Sequence, residues 1–229
     1  MIKTGKEHLS QLRDGRVVYI GDEKIDDVTT HPAFEKKAKK VAELYDIKHQ
    51  EIYKDVLSYE ENGELCSTWF LQAKNKSDLR KRSKAHKVIA DQTSGMMGRS
   101  MDHVASFVTG MSTNPDIFDS GKYKFKENLL NYYKYMKKND VFASYAVVPP
   151  QAARNPEFYQ KQNLPIPTLS VVEENKKGVI ISGMKMLATS AVFANEIWIG
   201  NLVPLAPDQI KQAITCAIPC NIEGLSLWM

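Results

Sequence analysis

The sequence predicts an α+β protein in which helices occupy residues 1–140 and short strands occupy residues 141–229. Through most of the first part, apolar residues recur at intervals of three and four, as they do on one face of a helix. From Phe142 onward the residues become β-branched and aromatic, and prolines and glycines separate short apolar runs. We therefore expect an N-terminal helical domain, a boundary near residue 140, and an antiparallel sheet or barrel after it.

Length, charge and cysteine content limit the class of protein. The chain has 229 residues, with 31 lysines and arginines against 27 acidic residues and a net charge of +4. This small excess is spread along the chain, so nucleic acid is not an expected partner. No apolar run is long enough to cross a bilayer, and the start lacks the apolar core of a signal peptide. We expect a cytoplasmic protein that does not engage membranes.

Three cysteines are too few for a disulfide framework, and we expect them to be reduced. Cys216 and Cys220 are four residues apart, a spacing that could suggest metal ligands. However, Pro219 lies between them, and no nearby histidine or third thiolate completes a tetrahedral site. We therefore expect no metal site.

The first 73 residues are expected to combine helices with two hairpins. A short helix comes first and is followed by a small hairpin around Gly21. Residues 29–32, with two hydroxyl side chains and a proline, form a helix-start signal, and apolar residues then recur at helical spacing. Residues 57–73 are expected to be extended, with a turn at 61–63.

Three longer helices and then the strands complete the prediction. One helix is expected to start at Ser77, a second to run to the break at Asn114 and Pro115, and a third to cover about 124–138. Four or five short strands follow, and residues 175–178 are expected to form a hairpin turn between two of them.

The segment Ser94–His103 is the strongest candidate for chemistry. It holds one arginine, Arg99, among small, apolar and weakly polar residues, and a cation in such a setting usually has an anionic partner. If the segment is helical, Arg99 and His103 share one face and can converge on one ligand. The structural alternative is a buried helix in which Arg99 pairs with Asp102 or with a distant carboxylate.

Several spaced motifs in the chain, taken together, resemble a known family. In chain order they are RDGRVVYIGDEKIDDVTTHPAF, GMMGRSMDH, SYAVVPPQAAR and GVIISGMKMLATSAVFANEIWIGN. They resemble the N-terminal and middle portions of the 4-hydroxyphenylacetate 3-monooxygenase oxygenase-component family, and the resemblance covers essentially the whole chain. It implies an acyl-CoA-dehydrogenase-like fold with a helical domain followed by a β-domain.

The resemblance also implies what the protein does. Family members receive reduced FAD from a separate flavin reductase by transient transfer, use O2, and hydroxylate a phenol such as 4-hydroxyphenylacetate next to its hydroxyl group. They are homotetramers, assembled through a C-terminal helical bundle that also contacts flavin. We expect that bundle to be absent here and the β-domain, residues 141–229, to be incomplete at its C-terminal end.

Site residues are assigned by the same resemblance. Arg99 matches the family arginine that faces the substrate oxygen. His103 stands where the family usually has tyrosine, and Tyr145 where it usually has histidine, so either the two groups exchange roles or the substrate differs. The residues expected to contact flavin lie in a loop and in a strand further along: Tyr145, Ala146, Pro150, Gln151, Arg154, Lys185, Leu187, Ala188 and Thr189.

Two other functions stay open. A truncated relative could be catalytically silent, because a half-site binds a cofactor poorly. A related branch of the same fold contains flavin-dependent CoA-thioester dehydratases and isomerases that hold an iron–sulfur cluster through cysteines four apart. The corresponding positions here are Met96 and Ser100, which cannot supply thiolates, so this branch is disfavoured.

Overall fold

A computed structural model describes residues 2–119, 124–176, 178–202 and 204–229. The helices in these ranges are α1 (Gly5–Gln11), α2 (Glu35–Asp46), α3 (Glu51–Leu57), α4 (Lys76–Gln92), α5 (Met101–Ser112), α6 (Lys126–Asn139) and α7 (Pro156–Lys161). The strands are β1 (Val17–Ile20), β2 (Glu23–Ile25), β3 (Ser58–Glu61), β4 (Glu64–Ser67), β5 (Ala143–Ala146), β6 (Ser170–Asn175), β7 (Gly178–Ser182), β8 (Glu196–Ile199), β9 (Cys216–Pro219) and β10 (Ser226–Trp228).

All three predicted hairpins are present. β1 and β2 pair across Gly21, β3 pairs antiparallel with β4, and β6 pairs antiparallel with β7. Of the turn predicted at residues 175–178, Lys177 lies outside the described residues. The extended prediction for residues 57–73 holds for residues 58–67, because Leu57 ends α3 and residues 68–70 form a short 3-10 helix.

The sheet of the second part is mixed rather than purely antiparallel. β8 is antiparallel to β9 as expected, but it runs parallel to β5, with Tyr145 opposite Trp198. Parallel neighbours need a long connection, and residues 147–195 provide it through α7 and the β6–β7 hairpin. Every residue of β8 is buried, so this strand forms the centre of the sheet.

Three helices begin at residues other than those predicted, and the start of α5 affects the site. α2 begins at Glu35, so the hydroxyl residues before it do not cap it. α4 begins beside its cap Asn75, whose side chain accepts a hydrogen bond from the backbone of Asp78. α5 begins only at Met101, and Arg99 therefore lies in the turn that precedes the helix.

Both parts of the chain share one apolar core, and polar contacts also join them. The Arg16 guanidinium donates to the carbonyl oxygens of Val192 and Ala194, at 2.9 and 2.8 Å. β10 pairs in parallel with β1, so the last described strand lies beside the first hairpin. α5 packs on α6 and on β5, which places residues of the helical part against the central sheet. None of the described helices has the length and apolar character needed to span a membrane.

Candidate functional site

Three side chains from separate elements meet where α5 packs on β5. The guanidinium carbon of Arg99 lies 5.9 Å from the centre of the Tyr145 ring. The His103 ring, on the first turn of α5, has its centre 5.9 Å from the same ring. A cation, an imidazole and a phenol thus lie around one small region. Arg99 and His103 both lie beside Tyr145 without sharing a helical face, and their convergence on one ligand stays a prediction.

A hydrogen-bonded cluster fixes the start of α5 beside Arg99. The Ser100 hydroxyl donates to one oxygen of Asp102 at 2.5 Å, and the other oxygen lies 2.5 Å from Nδ1 of His86 on α4. Nε2 of His86 is 3.1 Å from the Ser106 hydroxyl. Burial alone would raise the pKa of Asp102, but the hydrogen bonds from His86 and Ser100 outweigh it and hold that pKa below its usual value. Asp102 therefore stays ionised and accepts both bonds.

Arg99 has no anionic partner in the described part of the chain. Its half-buried guanidinium forms no ion pair or hydrogen bond there. The alternative in which it pairs with Asp102 is wrong, because that carboxylate pairs with His86. An unpaired cation that is partly shielded from water attracts an anionic ligand more strongly than an exposed cation does.

His103 is held neutral. Burial and then the nearby Arg99 charge lower its pKa, so at neutral pH its imidazole carries one proton. Its Nδ1 atom is buried and has no hydrogen-bond partner among the described residues. A buried polar atom without a partner is costly in a folded protein, and a ligand atom in this region would supply one.

Aromatic side chains that the sequence did not indicate pack beside Tyr145 and form one side of the site. Phe107, one helical turn after His103, has its ring centre 5.3 Å from that of Tyr145 and 5.5 Å from that of Trp198. Tyr132 on α6 also packs against Trp198, with ring centres 5.5 Å apart. The strand Glu196–Ile199 is apolar except for Glu196 and includes the indole of Trp198. A charged residue in an apolar strand was the one sequence feature that could have pointed to this aromatic cluster.

The first segment predicted to contact flavin continues from β5. Ala146 ends the strand and is buried, as is Pro150, which precedes a 3-10 helix over Gln151–Arg154. The side chains of Gln151 and Arg154 are exposed, and neither forms a hydrogen bond with another described residue. These two polar groups are therefore available to a ligand.

The second segment is an irregular loop and not the expected strand. Met186 alone forms a bridge, donating its backbone N–H to the Val148 oxygen at 2.7 Å. Leu187 has a φ of +60° and is 67% exposed. The Ser144 hydroxyl donates to the carbonyl oxygen of Thr189 at 2.8 Å. The loop is thereby held against the segment that follows β5, with Ala188 half-buried between its neighbours.

Lys185 is already engaged by the protein. Its ammonium donates to the Gly200 carbonyl and the Asn201 side-chain oxygen, both at 2.9 Å, and burial lowers its pKa. This side chain ties the loop to the end of β8. A direct contact with a cofactor would have to come from the lysine backbone or from its neighbours.

The exposed residues of the two segments fit a phosphate-bearing aromatic cofactor. Arg154, Gln151 and the Thr189 hydroxyl offer donors for phosphate or for ring oxygens. Leu187 adds exposed apolar surface, and the Val148–Met186 bridge brings the two segments side by side. Such a mixture of apolar surface with a few polar donors is typical of cofactor sites.

An iron–sulfur site has no ligands at the expected positions. Met96 is 84% exposed in the turn before α5, and the Ser100 hydroxyl is committed to Asp102. Within the described ranges no group of histidine, cysteine or acidic side chains is arranged to hold a metal. Cys66 lies on β4, and Cys216 and Cys220 lie at and just after β9.

Comparison with known proteins agrees with the resemblance seen in the motifs. Residues 4–229 match the family described as 4-hydroxyphenylacetate 3-hydroxylase N terminal. The 4-hydroxyphenylacetate 3-monooxygenase oxygenase component of Thermus thermophilus is 36% identical over 98% of the chain and 46% of its own length. The 2,4,6-trichlorophenol monooxygenase of Cupriavidus pinatubonensis is 34% identical over 99% of the chain and 44% of its own length. The chain thus spans less than half the length of these relatives.

Solved structures confirm the predicted fold. A crystal structure of the oxygenase component of 4-hydroxyphenylacetate 3-monooxygenase complexed with FAD superposes with a TM-score of 0.88 at 35% identity, covering 99% of this chain and 46% of that one. Another crystal structure of that component holds FAD and 4-hydroxyphenylacetate, with the same TM-score at 34% identity. An archaeal 4-hydroxybutyryl-CoA dehydratase has a TM-score of 0.82 at 21% identity, which shows a shared fold alone.

Proposed function

Because the chain belongs to the 4-hydroxyphenylacetate 3-hydroxylase family and matches its N-terminal part, we propose that it is an oxygenase component that hydroxylates a phenol next to its hydroxyl group. It is related to the oxygenase components of two-component, FADH2-dependent phenol monooxygenases. The substrate class is a 4-hydroxyphenylacetate-like phenol. The enzyme works in the cytoplasm with O2 and with a flavin reductase that hands over reduced FAD.

The Arg99 cation lies beside Tyr145 and forms no ion pair with another described residue, and this is the observation that carries the proposal. A phenol bound with its oxygen toward Arg99 would ionise more readily, because the cation stabilises the phenolate. The phenolate has a more electron-rich ring than the phenol, and the carbons next to its oxygen become more reactive toward an oxygen electrophile. Arg99, whose side chain is half-buried, would stabilise the developing charge.

His103 and Tyr145 position that phenol. The neutral imidazole of His103 can accept the phenolic proton or a hydrogen bond from it at the buried Nδ1 atom, which lacks a partner among the described residues. The Tyr145 ring offers a flat apolar surface, and its position between Arg99 and Phe107 limits where a second ring can lie. Together these two residues set the orientation of the substrate.

FAD would be held by the loop after β5 and the loop after β7. Arg154, Gln151 and Thr189 supply the polar contacts, and Leu187 with Ala188 supplies the apolar surface. When bound, the reduced flavin supplies the activation of O2, which no amino-acid side chain can perform. The chain's own task is to hold the two ring systems together and to exclude water.

The direct experiment is an anaerobic titration of the purified chain with reduced FAD, followed by fluorescence and by oligomeric mass. Addition of O2 and 4-hydroxyphenylacetate to the complex then gives the catechol product, which is measured by chromatography. Arg154→Ala should weaken flavin binding, whereas the control Lys161→Ala, an exposed cation at the end of α7, should not.

The competing function is that of a catalytically silent relative. Exposed apolar side chains on the β6–β7 hairpin favour it, since Val172, Val179 and Ile180 are each at least 50% exposed and a surface of this kind promotes association. A chain that aggregates and binds no reduced FAD would support the silent function. Micromolar binding with a defined oligomeric mass, followed by product formation, would exclude it.

A further inference from the structure

A continuous row of aromatic rings leads from the candidate site to the protein surface. It starts at Tyr145 and passes through Phe107 to Trp198, with ring centres 5.3 and 5.5 Å apart. From Trp198 it continues to Tyr132 at 5.5 Å and to Tyr135 at 6.1 Å. All of these separations lie within the range of contacting aromatic pairs.

The two ends of the row differ in their surroundings. Trp198 is only 9% exposed and lies opposite Tyr145 in the parallel pair of β5 and β8. Tyr135, on α6, is 45% exposed. The row therefore connects a buried indole beside the site with a phenol that water and small solutes can reach.

The buried carboxylate of Glu196 indicates that this row has a role beyond packing. It is 6% exposed, and its carboxylate accepts a hydrogen bond from the Tyr132 hydroxyl at 2.8 Å. No lysine, arginine or histidine forms an ion pair with it in the described part of the chain. A buried carboxylate without a cation is costly, and an apolar residue would serve packing better.

A carboxylate hydrogen-bonded to a tyrosine has a specific chemical consequence. Oxidation of a phenol by one electron makes its O–H strongly acidic, so the electron leaves readily only when a base takes the proton. Glu196 is such a base for Tyr132. Burial, followed by the Glu196 charge, raises the pKa of Tyr135 to about 12, so Tyr135 also keeps its proton until it is oxidised.

We propose that Trp198, Tyr132 and Tyr135, with Glu196 as proton acceptor, carry a one-electron oxidation away from the candidate site to the surface. The inference rests on the proposed function only for the source of the oxidant. That oxidant is an oxygen radical of the hydroxyl-radical class, formed as a side product of O2 activation in the site. The row would spare Arg99, His103 and the bound flavin from oxidative damage.

The steps balance in electrons and protons. The radical takes one electron from Trp198 and becomes hydroxide. Tyr132 returns an electron to Trp198 while its O–H bond breaks and the proton passes to Glu196. Tyr135 then gives an electron to Tyr132, which recovers its proton from Glu196, and the Tyr135 proton goes to solvent. A soluble reductant such as ascorbate restores Tyr135 by donating one hydrogen atom.

The test generates the oxidation by light, so that it does not require flavin binding. A ruthenium photosensitiser is attached at Met96→Cys, a position 84% exposed and close in sequence to Arg99, in a Cys216→Ala background because Cys216 is the one cysteine that is not fully buried. Transient absorption follows the tryptophan and tyrosyl radicals, and spin trapping with mass spectrometry locates the final radical.

The expected result is a tryptophan radical that converts to a tyrosyl radical trapped at Tyr135. Trp198→Phe should abolish the tyrosyl signal, and Tyr132→Phe or Glu196→Gln should leave a tryptophan radical that persists. Tyr132→Phe and Glu196→Gln nearly preserve the size of the side chain, whereas Trp198→Phe replaces a buried indole with a smaller ring. Circular dichroism checks the fold of all three variants. The control Trp228→Phe, which removes an exposed indole outside the row, should change nothing.

Two results would overturn the proposal. One is an unchanged tyrosyl radical in folded Trp198→Phe, and the other is trapping spread over the exposed tyrosines without preference for Tyr135. Because the oxidant is photochemical, a chain that fails to bind reduced FAD can still pass this test. Failure of the row and failure of the proposed function are therefore distinguishable.

Discussion

The Arg99 guanidinium lies over the Tyr145 ring, 5.9 Å from its centre, and joins the turn before α5 to the first strand of the central sheet. His103 reaches the same ring from the first turn of the helix. The position of this cation thus depends on how α5 starts and on how it packs against β5. The contacts at the start of α5 and those between α5 and β5 lead to the predictions that follow.

The first prediction concerns the charge on His103. Arg99→Ala removes one cause of the lowered His103 pKa, so this pKa should rise toward its ordinary value. NMR titration of the His103 ring resonances measures it. Arg99→Lys is the matched control and should keep most of the effect. An identical His103 pKa in the wild type and in Arg99→Ala would show that the two groups do not interact.

The second prediction concerns the cluster at the start of α5. Asp102→Asn removes a charged acceptor of hydrogen bonds from His86 and Ser100, and it should lower the free energy of unfolding by about 1.5–3 kcal/mol. The control is Asp91→Asn on α4, which breaks an exposed pair with Lys87 and should cost no more than about 0.5 kcal/mol. Urea denaturation measures both. If Asp102→Asn and Asp91→Asn lowered the free energy of unfolding equally, the claim that the cluster stabilises the start of α5 would be contradicted.

The same cluster gives a pH dependence with a definite sign. Because folding lowers the pKa of Asp102, its contribution is fully present above the pKa of an unfolded aspartate, near pH 4, and is lost as the pH falls through the folded pKa. Asp102→Asn should remove this part of the acid destabilisation. Unfolding free energies measured from pH 6 down to about pH 3 test it, and parallel curves for the variant and the wild type would refute it.

The third prediction concerns a buried ion pair that joins the segment after α2 to the C-terminal end of α6. Lys48 and Asp140 are almost fully buried and paired, and the Ser67 hydroxyl also donates to Asp140 at 2.7 Å. Asp140→Asn keeps a residue that tolerates the left-handed backbone at this position, where φ is +46°. It leaves the Lys48 charge without a partner, however, and should cost about 3–5 kcal/mol.

The double variant distinguishes an ion pair from general packing. Lys48→Met in the Asp140→Asn background removes the unpaired charge, so it should recover most of the lost stability. Urea denaturation of the wild type, both single variants and the double variant provides the comparison. If the losses in the two single variants simply add in the double, the two side chains are not coupled.

The sequence predicted the local elements better than the contacts between them. Apolar spacing located α4, α5 and α6, and turn residues located the hairpins, because these features depend on neighbours in the chain. The parallel pairing of β5 with β8 depends instead on the long connection between them. Strand composition alone did not reveal that pairing, and the antiparallel expectation failed there.

In the candidate site, too, local features were predicted better than contacts between elements. Spacing brought Arg99 and His103 together for a helical reason that the structure does not bear out, since α5 starts at Met101. Tyr145 came only from the family resemblance, because no local pattern links it to Arg99. Asp102 was considered as a partner of Arg99, whereas its partner is His86, one helix earlier.

The most direct test of the central claim is the ionisation of a phenol bound to the chain. 4-Nitrophenol changes colour when it loses its proton, so absorbance over a pH series gives the pKa of the bound molecule. We predict that binding lowers this pKa by about one unit, that Arg99→Ala abolishes the shift, and that Arg99→Lys retains part of it. A bound 4-nitrophenol with the same pKa as in buffer, or an equal shift in Arg99→Ala, would contradict the assignment of Arg99 as the phenolate partner.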